Sequence, residues 1–296
     1  SKAGTPTMGG LIFLIAVTVT SLFYVKDYPK IIPILFLTLG FGLIGFLDDY
    51  LKVVLKRSDG LLPAQKMAGQ IVVTAIFAFY LMRFTDVKLT LLVPFSHGYY
   101  WNIGWVAVPL LFVAVIGTVN GVNFTDGLDG LAAGVSSIAA LCVMVLCILT
   151  GEEMAILLTA ALAGSCLGFL PRNFNPAQIF MGDTGATFLG YTLAVTSILG
   201  VFKGYAILAL VVSMLCLGLP IFDTIFAMVR RFAKHQPIMQ ADRGHLHHRL
   251  IDRGFTQKQA VMILYIISAL CGVFAILIAV KDAKVVVVIV FMVFVM

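Results

Sequence analysis

Charge is scarce in this sequence: only 11% of its 296 residues are Asp, Glu, Lys or Arg, against 61% hydrophobic residues. The mean hydropathy is +1.06. An ordinary soluble domain carries about 25% charged residues, so a water-soluble fold has nowhere to put this much apolar surface. The apolar runs do not alternate with polar residues, which argues against a membrane β-barrel built from roughly ten-residue alternating segments. Cys142, Cys147, Cys166, Cys216 and Cys271 all lie in apolar runs without CxxC spacing. Neither a disulfide framework nor a zinc centre is expected, and these cysteines read as small core residues. No P-loop and no GxGxxG fingerprint is present, which removes the common soluble nucleotide folds. Ionisable residues are missing from well inside the apolar runs except at Asp223, whereas a transporter needs them along its path. No initiator Met and no basic leader precede Ser1, so no signal peptide is read and a further N-terminal helix is expected upstream.

What the sequence does have is length in its apolar runs. Met8 to Val25, Ile31 to Leu47 and Gly204 to Ile221 approach the ~20 residues that cross a bilayer as helix. Spans are expected near 8–25, 31–50, 67–84, 105–123, 130–149, 154–170, 185–202, 204–229 and 259–280, with a partial one from 284. The expected fold is all-α, a polytopic transmembrane bundle of about ten spans in one membrane domain over residues 1–296. With spans alternating in direction, the loops 1–7, 51–66, 120–130, 171–184 and 230–258 share one side and hold thirteen of the 20 Lys and Arg. The positive-inside rule makes that side the cytoplasm. Membrane lipids are the expected surroundings, and no nucleic-acid partner is expected.

The same loops collect aspartates at span ends, where a carboxylate is expensive unless it serves something. Asp48-Asp49-Tyr50-Leu51-Lys52 follows an apolar helix. Two adjacent carboxylates cannot both pair with Lys52; they suit Mg²⁺ shared with substrate phosphates, or else a polar helix end facing headgroups. Asn120-Gly-Val-Asn123-Phe-Thr125-Asp126-Gly127-Leu128-Asp129-Gly130-Leu131-Ala132 interleaves hydrogen-bonding side chains with glycines that admit a ligand close to the backbone. In Pro171 to Gly185, Asp183 lies just before an expected helix N-terminus, a place that favours anions and the metal accompanying them, and Phe180 suits base stacking or an interface position. Arg243-Gly-His245-Leu-His247-His248-Arg249 suits contact with a diphosphate or sugar; zinc or headgroup contact are the alternatives.

Together these motifs resemble those of the polyprenyl-phosphate N-acetylhexosamine 1-phosphate transferases along nearly the whole chain. Lys2 to Gly10, Asp48-Asp49 with Gly60 to Lys66, and the Thr125-containing Asn/Asp motif are similar to the phospho-N-acetylmuramoyl-pentapeptide transferases. His245-Leu-His247-His248-Arg249, Pro220-Ile-Phe-Asp223-Thr and the apolar run from 284 are similar instead to the GlcNAc 1-phosphate transferases that start teichoic acid or O-antigen synthesis. The resemblance implies an Mg²⁺ enzyme of the bacterial inner membrane with its active site facing the cytoplasm. It implies transfer from UDP-MurNAc-pentapeptide to undecaprenyl phosphate, giving lipid I and UMP, with UDP-GlcNAc as the alternative donor. It places Mg²⁺ on Asp183, catalysis on Asp48, Asp49 and Asp183, and uridine contacts on Asn123, Asp126, Gly127, Leu128, Asp129 and Phe180. Lys2, Thr7, Asn173, Gly182, His247 and His248 would line the donor pocket. Oligomeric state stays open, with a homodimer as the candidate.

Overall fold

The computed structural model describes residues 4–57, 59–85, 90–92, 100–102, 104–201, 229, 231 and 246–279. Nine α-helices run through these residues: α1 Gly10–Leu22, α2 Ile31–Val53, α3 Pro63–Phe84, α4 Ala107–Thr125, α5 Leu131–Thr150, α6 Glu153–Asn173, α7 Gly182–Val201, α8 Leu246–Asp252 and α9 Gln257–Ala279. A small antiparallel hairpin, β1 Thr90–Leu92 with β2 Tyr100–Asn102, joins α3 to α4 in the register Thr90 to Asn102 and Leu92 to Tyr100. That hairpin is the one departure from an all-helical fold among the described residues.

Six helical segments are long and apolar enough to cross a membrane: Ile31–Val53, Pro63–Phe84, Gly104–Thr125, Leu131–Thr150, Glu153–Asn173 and Gln257–Leu277. The expected spans at 204–229 and from 284 lie outside the described residues, so about ten spans is a larger number than the structure describes. One expectation is corrected: the first helix is shorter than 8–25, a 13-residue apolar helix. The helix expected at 185–202 forms as α7. Its surroundings set it apart from the others. Every residue from 184 to 198 is buried, and Thr184, Thr187, Thr192, Thr196 and Ser197 dilute its hydropathy. Threonine hydroxyls in its interior donate back to the carbonyl four residues earlier, as Thr192 does to Phe188 (2.8 Å) and Thr196 to Thr192 (2.7 Å).

α7 is therefore the axis of the bundle rather than part of its lipid-facing wall. Helices in lipid gain little from hydrophobic exclusion and associate through close packing of small residues. Gly45 of α2 lies against the first turn of α7, where a Cβ would come within 2.3 Å of the Asp183 carbonyl. Phe41 of α2 stacks on Tyr191 of α7 with ring centroids 4.2 Å apart. The outer wall is apolar as well, with Phe36, Ile15, Phe79 and Val113 all more than half exposed. This pattern, apolar outside and threonine-rich at the centre, is that of a membrane bundle.

The chain reverses at each helix, so one end of the bundle collects segment 4–9, the α2–α3 connection, the loop 126–130, the loop 174–181 and the start of α9. The ends of several helices meet there in a polar cluster, while the opposite end is tied by Tyr28 donating to Glu153 (2.7 Å) and Thr150 to the Gly200 carbonyl (2.6 Å).

Candidate active site

The cluster starts from the last turns of α2. Residues one apart on a helix point about 100° from each other, so Asp48 and Asp49 diverge and take different hydrogen-bond partners. Asp48 is 2% exposed. One of its oxygens accepts from the Leu61 backbone N–H (2.6 Å) and the other from the Lys52 ammonium, one helical turn on (2.7 Å).

Asp49 turns toward α7 instead. Its carboxylate accepts from the backbone N–H groups of Asp183 (3.0 Å) and Thr184 (2.9 Å) and from the Thr184 hydroxyl (2.6 Å). The first N–H groups of a helix lack partners within it, and here a neighbouring helix supplies the acceptor. α7 begins at Gly182, so Asp183 sits inside its first turn rather than before it. Gly182 has φ +75°, and a Cβ there would lie 2.5 Å from the Asp49 carboxylate.

Asp183 gathers three donors from three helices. Its Oδ2 accepts from Lys52 of α2 (2.9 Å) and Lys66 of α3 (3.1 Å), and its Oδ1 from the Asn123 amide of α4 (2.8 Å). Burial alone would raise the Asp183 carboxyl, but the hydrogen bond shared with Asp48 and the ammonium groups of Lys66 and Lys52 hold it well below the usual carboxylate range. Asp183 is thus an anion at the polar end of α7, and Lys52 places its ammonium between it and Asp48.

Beside this cluster is a cavity of about 200 Å³ lined by Thr7, Asp126, Leu128, Asp129, Asn173, Phe180 and Gly182. Seven residues that the sequence marks as substrate contacts come together in it, drawn from three separate segments. Segment 6–10 is tied beside the third motif by Phe180 N–H to Pro6 O (2.8 Å), Gly9 N–H to Phe180 O (2.9 Å) and Gly10 N–H to Met181 O (2.8 Å). These ties put Thr7 in the wall. Asp129 is 9% exposed and accepts from the Asn175 amide (3.0 Å) and the Ala177 N–H (3.2 Å), which joins the second motif to the third. Asn173 closes the same junction, accepting from Gly130 N–H (3.1 Å) and donating to the Ile179 carbonyl (2.9 Å).

Cavity and cluster are contiguous. Gly182 lines one and Asp183 belongs to the other; Asp126 faces the first, while Asn123, one turn earlier on α4, holds the second. Not every expected residue is in the wall. Asn123 serves the ion cluster rather than the cavity, and Gly127 is exposed beside it. Lys2 lies outside the described residues. His247 and His248 fall on α8, whose backbone is described but whose histidine side chains are not. α8 is nevertheless seated close by, since Leu250 packs on the cluster of Leu128, Leu131 and Val135 that underlies the second motif. Sequence reasoning left out Lys52 and Lys66 as site residues; a lysine at 66, just ahead of an apolar run, was the available signal. Among the described residues no group of three or more His, Cys, Asp or Glu is placed to hold a metal.

The glycosyl transferase family 4 profile matches residues 31–201, a stretch that contains Asp48, Asp49, Asn123, Asp126, Asn173 and Asp183. The chain belongs to glycosyl transferase family 4. Residues 2–14 match the phospho-N-acetylmuramoyl-pentapeptide-transferase signature 1, so the segment that carries Thr7 into the cavity is itself a family mark. Among family members, the phospho-N-acetylmuramoyl-pentapeptide-transferase of Acetivibrio thermocellus is 39% identical over 280 residues, 91% of this chain and 80% of that protein. That of Desulfitobacterium hafniense is 34% identical over 293 residues, covering 94% and 84%. A Bacillus subtilis protein, a probable undecaprenyl-phosphate N-acetylglucosaminyl 1-phosphate transferase, is 42% identical over 176 residues, covering 60% of this chain and 49% of its own. The chain is thus a multi-pass membrane transferase of the glycosyl 1-phosphate type.

Proposed function

We propose that this chain transfers phospho-N-acetylmuramoyl-pentapeptide from UDP-N-acetylmuramoyl-pentapeptide to undecaprenyl phosphate, releasing UMP and forming lipid I. The observation that carries the reading is the contiguity of a small cavity with an ion cluster of Asp48, Lys52, Lys66 and Asp183. The cavity is smaller than the ~300–1,000 Å³ of a typical small-molecule site; it suits the uridine end of the donor, with Phe180 offering a face for the base and Asp126 and Asp129 hydrogen-bond acceptors. The diphosphate then extends past Gly182 to the cluster, and the sugar lies beyond it.

At the cluster, Lys52 and Lys66 exchange carboxylate partners for phosphate oxygens and hold the diphosphate in line. An oxygen of the lipid phosphate attacks the β-phosphorus of the donor. The bond from that phosphorus to the bridging oxygen breaks, and UMP leaves with the electron pair. Asp48 and Asp183 fit Mg²⁺, since two carboxylates already converge on one cationic group, the Lys52 ammonium, and Mg²⁺ is usually held by one or two carboxylates together with substrate phosphates. When bound, the ion supplies charge neutralisation for the diphosphate and the departing UMP. The family resemblance adds Lys2, His247 and His248 as donor-pocket residues to this reading. The reading sets the site at the cytoplasmic face of a bacterial membrane and takes α1, α7 and the segments 204–229 and from 284 as further spans beside the six, giving about ten.

The similarity to the Bacillus subtilis protein and the His245-Leu-His247-His248 sequence favour UDP-GlcNAc as a second donor. Purified protein with undecaprenyl phosphate decides between them by kcat/KM for the two donors, read as UMP release. Preference for UDP-MurNAc-pentapeptide is expected; preference for UDP-GlcNAc would move the chain to the other branch, and no UMP from either would remove the transferase reading altogether.

A further inference from the structure

α9 enters the sequence only as another apolar span, yet it reaches the cavity through one hydroxyl. Tyr265, two turns into α9, donates to the Gly130 carbonyl at 2.5 Å. Its ring occupies the space a side chain would take at Gly134, where a Cβ would lie 2.0 Å from the ring. Gly130 is the left-handed residue, φ +82°, that ends the second motif and starts α5. Its N–H is held by Asn173, and Asn173 in turn holds the Ile179 carbonyl next to Phe180. Gly130 is thus clamped from both sides, by Asn173 through its N–H and by Tyr265 through its carbonyl. The two loops that form the cavity wall meet at this clamp.

We infer that Tyr265 is a positioning residue for the nucleotide cavity: its hydroxyl fixes Gly130, and through Gly130 and Asn173 the mutual placement of Asp129 and Phe180. The inference rests on the proposed uridine assignment of that cavity. The ion cluster is held separately, by Lys52, Lys66 and Asn123 from α2, α3 and α4, so loosening the clamp weakens nucleotide binding and spares the chemical step. This division is what separates positioning from general support of the fold.

Tyr265→Phe keeps the ring against Gly134 and removes only the hydroxyl, leaving the buried Gly130 carbonyl with the Gly134 N–H (3.0 Å) as its remaining donor and the side-chain half of the clamp lost. The expected result is a rise of about five- to tenfold in the Kd for UMP and in KM for the UDP-sugar, with kcat within about twofold of wild type. Calorimetric titration of UMP into the full-length protein in detergent reads the first effect without relying on turnover. Leu264→Ala, in the same apolar cluster, is the control: it should lower Tm and leave the UMP Kd unchanged. Gly134→Ala pushes the Tyr265 ring from the other side and should raise the UMP Kd as Tyr265→Phe does. Wild-type UMP affinity in folded Tyr265→Phe, or an equal loss of affinity in Leu264→Ala, would overturn the inference. Failure of the wild-type protein to bind UMP would instead remove the uridine assignment on which it rests.

Discussion

Three aspartates at one end of the bundle do three different things, and their hydrogen bonds say which. Asp183 faces two ammonium groups and an amide, Asp48 faces the Lys52 ammonium (2.7 Å), more distantly that of Lys66 (3.8 Å), and the backbone of the α2–α3 connection, and Asp49 faces the open end of a helix. Asp183→Asn keeps the volume and the Asn123 contact but removes the charge that pairs with Lys52 and Lys66. Turnover should fall on the order of a hundredfold or more, while Tm moves by only a few degrees because the ion pairs are partly solvated. Steady-state UMP release checks the first and a thermal melt the second; near-wild-type turnover in a folded Asp183→Asn protein would refute the metal and phosphate role. Asp49→Ala should behave differently. It strips acceptors from the first turn of α7, a loss of about 0.5–2 kcal/mol by analogy with helix capping, and lets Asp183 drift from its donors. The expected signature is a lowered Tm together with lowered kcat. A stable but inactive Asp49→Ala protein would instead mark Asp49 as a direct participant.

At the scale of helices, the site depends on the spacing of α3 and α4, whose shared apolar cluster, with Phe77 and Leu81 of α3 and Leu111 and Val115 of α4, lies away from the site end. α3 exposes Ile71, Val72, Ile76 and Phe79 and meets α4 through a polar link. The Asn120 amide donates to the Gln70 side-chain oxygen (2.8 Å), and Gln70 is fully buried with its own amide nitrogen lacking a partner among the described residues. A polar group kept in a membrane interior at that cost has a job. Lys66 lies one turn before Gln70 on α3 and Asn123 one turn after Asn120 on α4, and these two residues hold the opposite oxygens of Asp183. Gln70→Met, which keeps the length and removes the acceptor, should let α3 shift against α4 and pull Lys66 from Asp183. The expected outcome is a kcat about tenfold lower with donor KM within about twofold, the reverse of the pattern expected for Tyr265→Phe. Initial-rate kinetics on both variants tests this. A Gln70→Met protein that changes KM alone would show that the α3–α4 link serves the cavity and not the cluster.

For the molecule as a whole, local chemistry was readable from sequence and long-range partnership was not. The loops 120–132 and 171–185 stood out because glycine, asparagine and aspartate report turns and helix starts within a few residues, and the cavity draws on both. Asp48-Asp49 marked the site, but adjacency in sequence is divergence on a helix, so their separate partners were not legible. Lys66, Gln70 and Tyr265 act on partners many tens of residues away, and a lysine, a glutamine or a tyrosine in an apolar run carries no mark of where it points. The buried position of α7 was hidden for a related reason: a threonine-rich helix looks like a weak span until its neighbours surround it. Orientation in the membrane follows from the same whole-chain view. Arg57, Lys66, Arg172, Arg249 and Arg253 gather at the end that carries the site, whereas Lys26, Lys30, Asp27 and Glu152 lie at the other, where basic and acidic residues mix. Lys and Arg close to span ends set orientation, so the site end should face the cytoplasm, where UDP-linked precursors are found. In a background freed of native cysteines, Arg57→Cys and Arg253→Cys, both exposed at the site end, should resist a membrane-impermeant maleimide on intact cells and react once the membrane is opened. Lys26→Cys, exposed at the far end, should react in intact cells. External labelling at 57 or 253 with protection at 26 would invert the molecule, and a site facing outward would have no access to a cytoplasmic nucleotide donor.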